Sequence, residues 1–260
     1  MKEKHCQIVL VGHTSQKLIL SIDKEIVHKV IFITEKTPLP GTKEASKVLK
    51  EVMEYYQERK VEVENIKFEF QIQTKPIAEL IHLIYQQKIQ GYHPITVNIS
   101  GGLRYMDIWF YIACSISRTK VIHADYIYEG KEEVGIHSNM DLTMIPIGHI
   151  TEKQFEFLAL FFRNYKSYDQ FFDPDLIFND NPLLTNRTTY NSLEDIRKKL
   201  EDNRKESLSR GSINGFIQKL SKISALDIFP NPEDKKERSI TISYLGVAYF
   251  LNKLYLKNSN

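Results

Sequence analysis

The run Val97-Asn98-Ile99-Ser100-Gly101-Gly102-Leu103-Arg104 joins a β-branched stretch to an apolar one through a turn with almost no side chains. Pro94-Ile95-Thr96-Val97 has the composition of a short buried strand, and Leu103 to Ser117 (LRYMDIWFYIACSIS) predicts a helix apolar nearly all round. Paired glycines permit positive φ, and the first amides of the helix lack backbone partners and carry a positive partial charge. Such a turn suits an anion, phosphate above all, and Arg104 adds a full charge beside it. Asn98 and Ser100 can hydrogen-bond a ribose or phosphate, or Asn98 can tie down its own turn. Arg104 can meet a phosphate or pair with Asp107.

A second polar turn, Gly12-His13-Thr14-Ser15, follows the apolar stretch Gln7 to Val11 (QIVLV). It has one glycine, so the GxGxxG pattern of dinucleotide binding is missing; so is the GxxxxGK[ST] phosphate loop. Hydride transfer and ATP hydrolysis are therefore poor readings. His13 is either a wall of a ligand site or a solvated loop residue. Cys6 and Cys114 each fall in a predicted core element, where they serve as small apolar residues rather than as a disulfide or paired metal ligands.

The elements that must position these turns alternate. Strands are expected at Gln7 to Val11, Lys29 to Thr34, within Val61 to Gln73, at Ile95 to Ile99 and at Val121 to Tyr128, with Glu133 to His137 and Met144 to Ile147 as a closing pair. Between them lie helices: one begins at Gln16 to Ile22, one spans Thr42 to Arg59 with Ala45, Val48, Leu49, Val52, Met53 and Tyr56 on one face, and one spans Pro76 to Gln87. This alternation predicts an α/β fold with a Rossmann-like, mostly parallel sheet covered on both faces. Ligands of such sheets bind beyond the carboxyl ends of the strands, the edge on which both polar turns fall.

Beyond about Ile150 the pattern turns helical, and the second domain is expected to be mainly α. Thr151 to Phe162 starts it, and Asp173 to Asn186, with two prolines, reads as linker. Ser192 caps Leu193 to Leu200. A helix starting near Ser209 or Ser212 carries Ile213, Phe216, Ile217, Leu220 and Ser224 on one stripe and Asn214, Gly215, Gln218, Lys219 and Lys222 around the rest, with no carboxylate. Leu226 to Phe229 and Ser239 to Ser243 form a hairpin around a charged tip, and Leu245 to Tyr255 closes with a helix. Helix, helix, helix and basic-tipped hairpin is the order of a winged helix-turn-helix. Asn214, Gly215 and Gln218 would face base edges of double-stranded DNA, with Arg210, Ser212, Lys219, Lys222, Lys235, Lys236 and Arg238 near phosphates. A small structural helical domain with a solvated basic face is the plainer alternative.

Composition agrees with two domains. Of 260 residues, 42% are hydrophobic and 26% charged, as in ordinary globular proteins. Residues 1–150 balance 18 Lys and Arg against 18 Asp and Glu, whereas residues 187–260 hold 14 against 9, a surplus where the nucleic-acid surface is expected. No apolar run approaches the roughly 20 residues of a membrane span, and the first residues turn polar too soon for a signal peptide, so the expected location is the cytoplasm.

With both halves in view, the chain resembles the CRISPR-associated Rossmann-fold (CARF) transcriptional regulators, in which a CARF domain precedes a winged helix. Asn98-Ile99-Ser100-Gly101-Gly102-Leu103-Arg104 matches their Asn-x-(Ser/Thr)-Gly-Gly-x-Arg signature, and Gly12-His13-Thr14-Ser15 occupies the family's other ligand loop. Leu103 departs from the Thr of many relatives. The resemblance implies a CARF domain over 1–148, a connecting helix and linker over 149–186, and a winged helix-turn-helix over 187–260. It also implies a homodimer whose paired pockets bind cyclic oligoadenylate, usually cyclic tetra-adenylate, through Gly12, His13, Thr14, Ser15, Asn98, Ser100, Gly101, Gly102, Leu103 and Arg104. Some CARF domains cleave their ring without metal, so ring-nuclease activity, with His13, Ser15 and Arg104 around the phosphate, is the enzymatic alternative. A dedicated nuclease domain is not expected, because the chain beyond Ile150 has no histidine.

Overall fold

The computed structural model describes residues 4–38, 41–72, 74–129, 132–136, 140–141, 149–162, 187–204, 209–234 and 237–258. The chain divides into two units, Met1–Ile147 and Gly148–Asn260.

The first unit alternates strand and helix through β1 (Lys4–Leu10), α1 (Ser15–Ile22), β2 (Lys29–Glu35), α2 (Thr42–Glu58), β3 (Glu62–Phe68), α3 (Lys75–Ile89), β4 (Tyr92–Asn98), α4 (Arg104–Ser117) and β5 (Lys120–His123). These strands form one sheet in the order β3-β2-β1-β4-β5, all parallel, and β8 (Met140–Asp141) adds an antiparallel edge beside β5. The unit is thus an α/β, Rossmann-like domain. Strand order reverses between β1 and β4, which places the crevice of an open α/β sheet over the turns that leave those two strands.

Residues of β1 explain why that crevice is rigid. Ile8, Val9 and Leu10 are fully or almost fully buried. On the α1 and α2 side, Val9, Val30 and Phe32 pack with Leu18, Ile22, Val48, Val52 and Tyr56, the face that the spacing of α2 predicts. On α4, Phe110 meets Phe68 and Phe70, with ring centroids 5.8 and 5.7 Å apart. Several polar side chains inside the sheet are paired: His5 Nε2 lies 3.0 Å from Thr96 Oγ1, and Asn98 Nδ2 donates to Gln7 Oε1 at 3.1 Å. Burial of hydrogen-bonded pairs is tolerated where isolated groups would not be.

One expected strand divides. Val121 to Tyr128 reads as continuous in the sequence, but β5 ends at His123 and β6 (Tyr126–Glu129) pairs with β7 (Glu132–Ile136) as a separate antiparallel ribbon. The break has a local cause: Ala124 N donates to Ser100 Oγ at 2.7 Å, and Asp125 Oδ1 accepts from Tyr126 N at 2.9 Å. Met144 to Ile147 lies outside the described residues. Cys6 and Cys114 are buried free thiols, and burial pushes the Cys6 thiol up to about 12.

In the second unit, α5 (Glu152–Ala159) opens with a capping box in which Gln154 N donates to Thr151 Oγ1 and Thr151 N to Gln154 Oε1. Then come β9 (Thr189–Tyr190), α6 (Leu193–Arg204), α7 (Arg210–Lys222), β10 (Leu226–Pro230), β11 (Arg238–Ile242) and α8 (Tyr244–Asn258). The hairpin of β10 and β11 carries β9 on its far side as a third antiparallel strand. Two residues are too few to show alternation, so β9 has no signature in the sequence. Phe155 stacks on Phe250 at 4.6 Å, and Tyr190 donates to the Leu160 carbonyl at 2.7 Å. Among the described residues no helix is long and apolar enough to cross a membrane.

Candidate functional site

The turn after β4 is held from beneath. Asn98 is wholly buried: its Nδ2 donates to Gln7 Oε1 and to Ser21 Oγ, and its Oδ1 accepts from Ser100 N at 3.0 Å. The expectation that Asn98 reaches a ligand is therefore corrected, since its amide is spent on fixing the turn and it faces α1. Ser100 Oγ spans to β5 through Ala124 N. Above them, Gly101 packs on the turn after β1, and Gly102 takes φ +89°, a conformation glycine adopts without strain.

These glycines open a cavity of about 500 Å³ over the ends of β1, β2 and β3. Three helices begin on it. Thr14 precedes α1, Gly41 precedes α2 with φ +89°, and Leu103 precedes α4; none has a side-chain cap. Away from the cavity, α3 is likewise without a side-chain cap at Thr74, whereas α5 and α7 in the second unit are capped by Thr151 and Ser209. Uncapped N-termini leave backbone donors for a ligand.

Three lysines, Lys17, Lys36 and Lys67, and one carboxylate, Glu35, also line the cavity. Lys17 stands 3.6 Å from Asp125 and 5.4 Å from the centre of the Tyr126 ring. His13 lies against Gly41, where an added Cβ would come within 2.7 Å of its ring. Asp107, one turn into α4, has a buried Oδ1 with no hydrogen-bond partner among the described residues. Burial raises its carboxyl to about 7, with Lys17 opposing the shift.

Seven expected residues meet at this cavity: Gly12, His13, Thr14, Ser100, Gly101, Gly102 and Leu103. Ser15 does not, because its hydroxyl turns to Glu51 Oε1 on α2 at 2.9 Å. Arg104 is exposed and lies outside the lining, one residue past Leu103. Lys17, Thr34, Lys36, Asn65 and Lys67 join the site without any motif to announce them. The parallel register, which sets Thr34 beside Lys67 and Phe32 beside Asn65, brings the residues of β2 and β3 to one edge, and α1 adds Lys17.

In the second unit, α7 buries Ile213, Ile217 and Leu220 and exposes Arg210, Ser212, Asn214, Gln218, Lys219 and Lys222, with Gly215 half-buried. Asn214, Gln218, Lys222 and Ile228 border a shallow groove between α7 and β10. Arg238 is exposed at the start of β11; Lys235 and Lys236 lie outside the described residues. Among the described residues no cluster of three metal-ligating side chains occurs.

A family model described as "HFX_2341_N:-like, N-terminal" matches residues 5–132. No curated protein matches the chain in sequence. Solved structures similar to it include the following two. One is protein VC1899 from Vibrio cholerae, at 12% identity and a TM-score of 0.39, over 97% of this chain and 65% of that one. The other is Can2 from Sulfobacillus thermosulfidooxidans in complex with cyclic tetra-adenylate, at 10% identity and a TM-score of 0.38, over 98% of this chain and 65% of that one. The chain thus spans about two thirds of the length of each.

Proposed function

We propose that the first unit is a CARF receptor for cyclic oligoadenylate, with cyclic tetra-adenylate the preferred ring, and that the chain is a homodimeric, DNA-binding transcriptional regulator. One observation carries the ligand reading: three helices that lack side-chain caps begin around one cavity that also holds Lys17, Lys36 and Lys67. Backbone donors and ammonium groups on several sides of one space suit a ligand with several phosphates better than a single anion.

A ring of four nucleotides has the symmetry of a two-fold dimer, so each copy of the cavity would take half of it. Exposed Tyr105 and Ile108 stand beside Leu103 on α4, and an apolar face next to the cavity mouth is a natural seat for the second copy. For DNA binding, the support is the acid-free exposed face of α7 followed by a hairpin, with β9 preceding α6 as the winged-helix order requires.

Thermal denaturation with rings of three to six adenylates tests the receptor. A ligand of the folded state adds about 2.7 kcal/mol at a hundredfold excess over Kd. A clear rise in melting temperature with one ring size is expected, and calorimetry should give one ring per two chains. A protein unmoved by every ring would end the proposal.

A further inference from the structure

The cavity lining holds aliphatic and neutral polar side chains as well as its lysines. Leu18 of α1 and Ala45 and Leu49 of α2 are among its apolar residues, and Thr34 and Asn65 are neutral polar groups contributed by β2 and β3, with Lys67 beside Thr34. Thr34 Oγ1 donates to Asn65 Oδ1 at 3.1 Å. That bond orients the carboxamide and uses one of its two acceptor positions. Asn65 Nδ2 has no hydrogen-bond partner among the described residues, and the residue is half-buried in the cavity lining. Left over, therefore, are one acceptor and two donor hydrogens, side by side on a cavity wall shared with aliphatic side chains.

Aliphatic walls fit the faces of a flat heterocycle, and the carboxamide fits one edge of it. Adenine presents an amino donor at N6 next to a ring acceptor at N7, the pattern that an asparagine matches with two hydrogen bonds. A 6-oxo purine presents two acceptors along the same edge, so the Asn65 oxygen would face another oxygen. Lysines and helix N-termini do not distinguish these bases, because they address the phosphates. We propose that Asn65 selects adenine in the bound ring, with Thr34 as the residue that positions its carboxamide. This inference rests on the receptor reading above and adds to it the group that would make the receptor specific for oligoadenylate.

Calorimetry on the full chain with cyclic tetra-adenylate, and with the same ring carrying hypoxanthine in place of adenine, separates the two ideas. The unaltered protein should prefer the adenine ring by about tenfold or more, the scale of one two-bond base contact. Asn65→Ala should bring the ratio to within about twofold, mainly by weakening the adenine complex, and Thr34→Val should give an intermediate ratio. Both positions are partly exposed, and melting temperatures near that of the unaltered protein would show the variants folded. An undiminished preference in folded Asn65→Ala overturns the inference and leaves the receptor standing. Equal affinity of the unaltered protein for both rings does the same. Failure of the unaltered protein to bind either ring overturns both.

Discussion

Gly101 sits directly against Gly12: a Cβ added to Gly101 would lie 2.6 Å from the Gly12 nitrogen and overlap the Leu10 carbonyl oxygen. The two cavity-facing turns are therefore one packed object, and neither strand end can move without the other. Gly102 differs, since an added Cβ there would meet nothing closer than 3.5 Å but would have to accept φ +89°. Gly101→Ala should cost about 3 kcal/mol, the upper end of overpacking, whereas Gly102→Ala should cost about 1 kcal/mol of backbone strain. Scanning calorimetry on the two variants checks the order. If Gly102→Ala proved the more damaging, the close approach of the two turns would be wrong.

Asp107 makes the stability of this region depend on pH in an unusual direction. Its folded-state carboxyl is raised to about 7 by burial, so between the ordinary Asp range near 3.8 and pH 7 the folded chain holds a proton that the unfolded chain has lost. Stability must then fall as pH rises through that window, and the loss is complete above the folded value. Lys17 offsets part of it. Asp107→Asn removes the titration, so the variant should gain melting temperature over the unaltered protein as pH goes from 5 to 8. A difference independent of pH would refute the assignment.

Much of the architecture is legible in the sequence because its signals are local. The spacing Val48, Val52 and Tyr56 sets the buried face of α2, and Gly101-Gly102 between an apolar strand and an apolar helix marks a cavity-facing turn. What escapes is set by parity and register. Asn98 has the chemistry of a ligand group, but Gln7 on the neighbouring strand β1 and Ser21 on α1 consume its amide. Nothing in the segment Val61 to Gln73 reveals that Asn65 stands against Thr34, because that pairing depends on how β2 and β3 align. The same holds for Lys36 and Lys67, charged residues at strand ends that look like ordinary solvated surface until the sheet is assembled.

On α7, exposure separates two roles. Asn214 and Gln218 project beside the groove bordered by Ile228, and Lys219 and Lys222 are exposed outside the buried stripe. Gln218→Ala should flatten sequence preference between duplexes. Lys219→Ala combined with Lys222→Ala should weaken binding to all duplexes alike and reduce the slope of log K against log salt by about 0.9 for each phosphate no longer neutralised. Electrophoretic mobility titrations at several salt concentrations read both effects. An unchanged slope in the double variant would remove this face from the proposed DNA surface.

Arg104 gives the clearest separation of binding from folding. It is exposed on the first turn of α4, has no ion pair or hydrogen bond among the described residues, and stands beyond Leu103 at the rim of the cavity. Under the proposed receptor reading, the Arg104 guanidinium is the charged donor that this part of the rim would offer a ring, since Leu103 offers none. A charge-assisted hydrogen bond contributes about 1.5–3 kcal/mol, and its removal in Arg104→Ala should weaken cyclic tetra-adenylate binding at least about tenfold per site. Melting temperature without ligand should stay within about 1 °C, as for a surface substitution away from packing. DNA binding without ligand should also be unaltered. Wild-type ring affinity in this variant would exclude Arg104 from the phosphate contacts and confine ligand binding to the cavity lining, whereas a large drop in stability would mean that the side chain holds α4 in place.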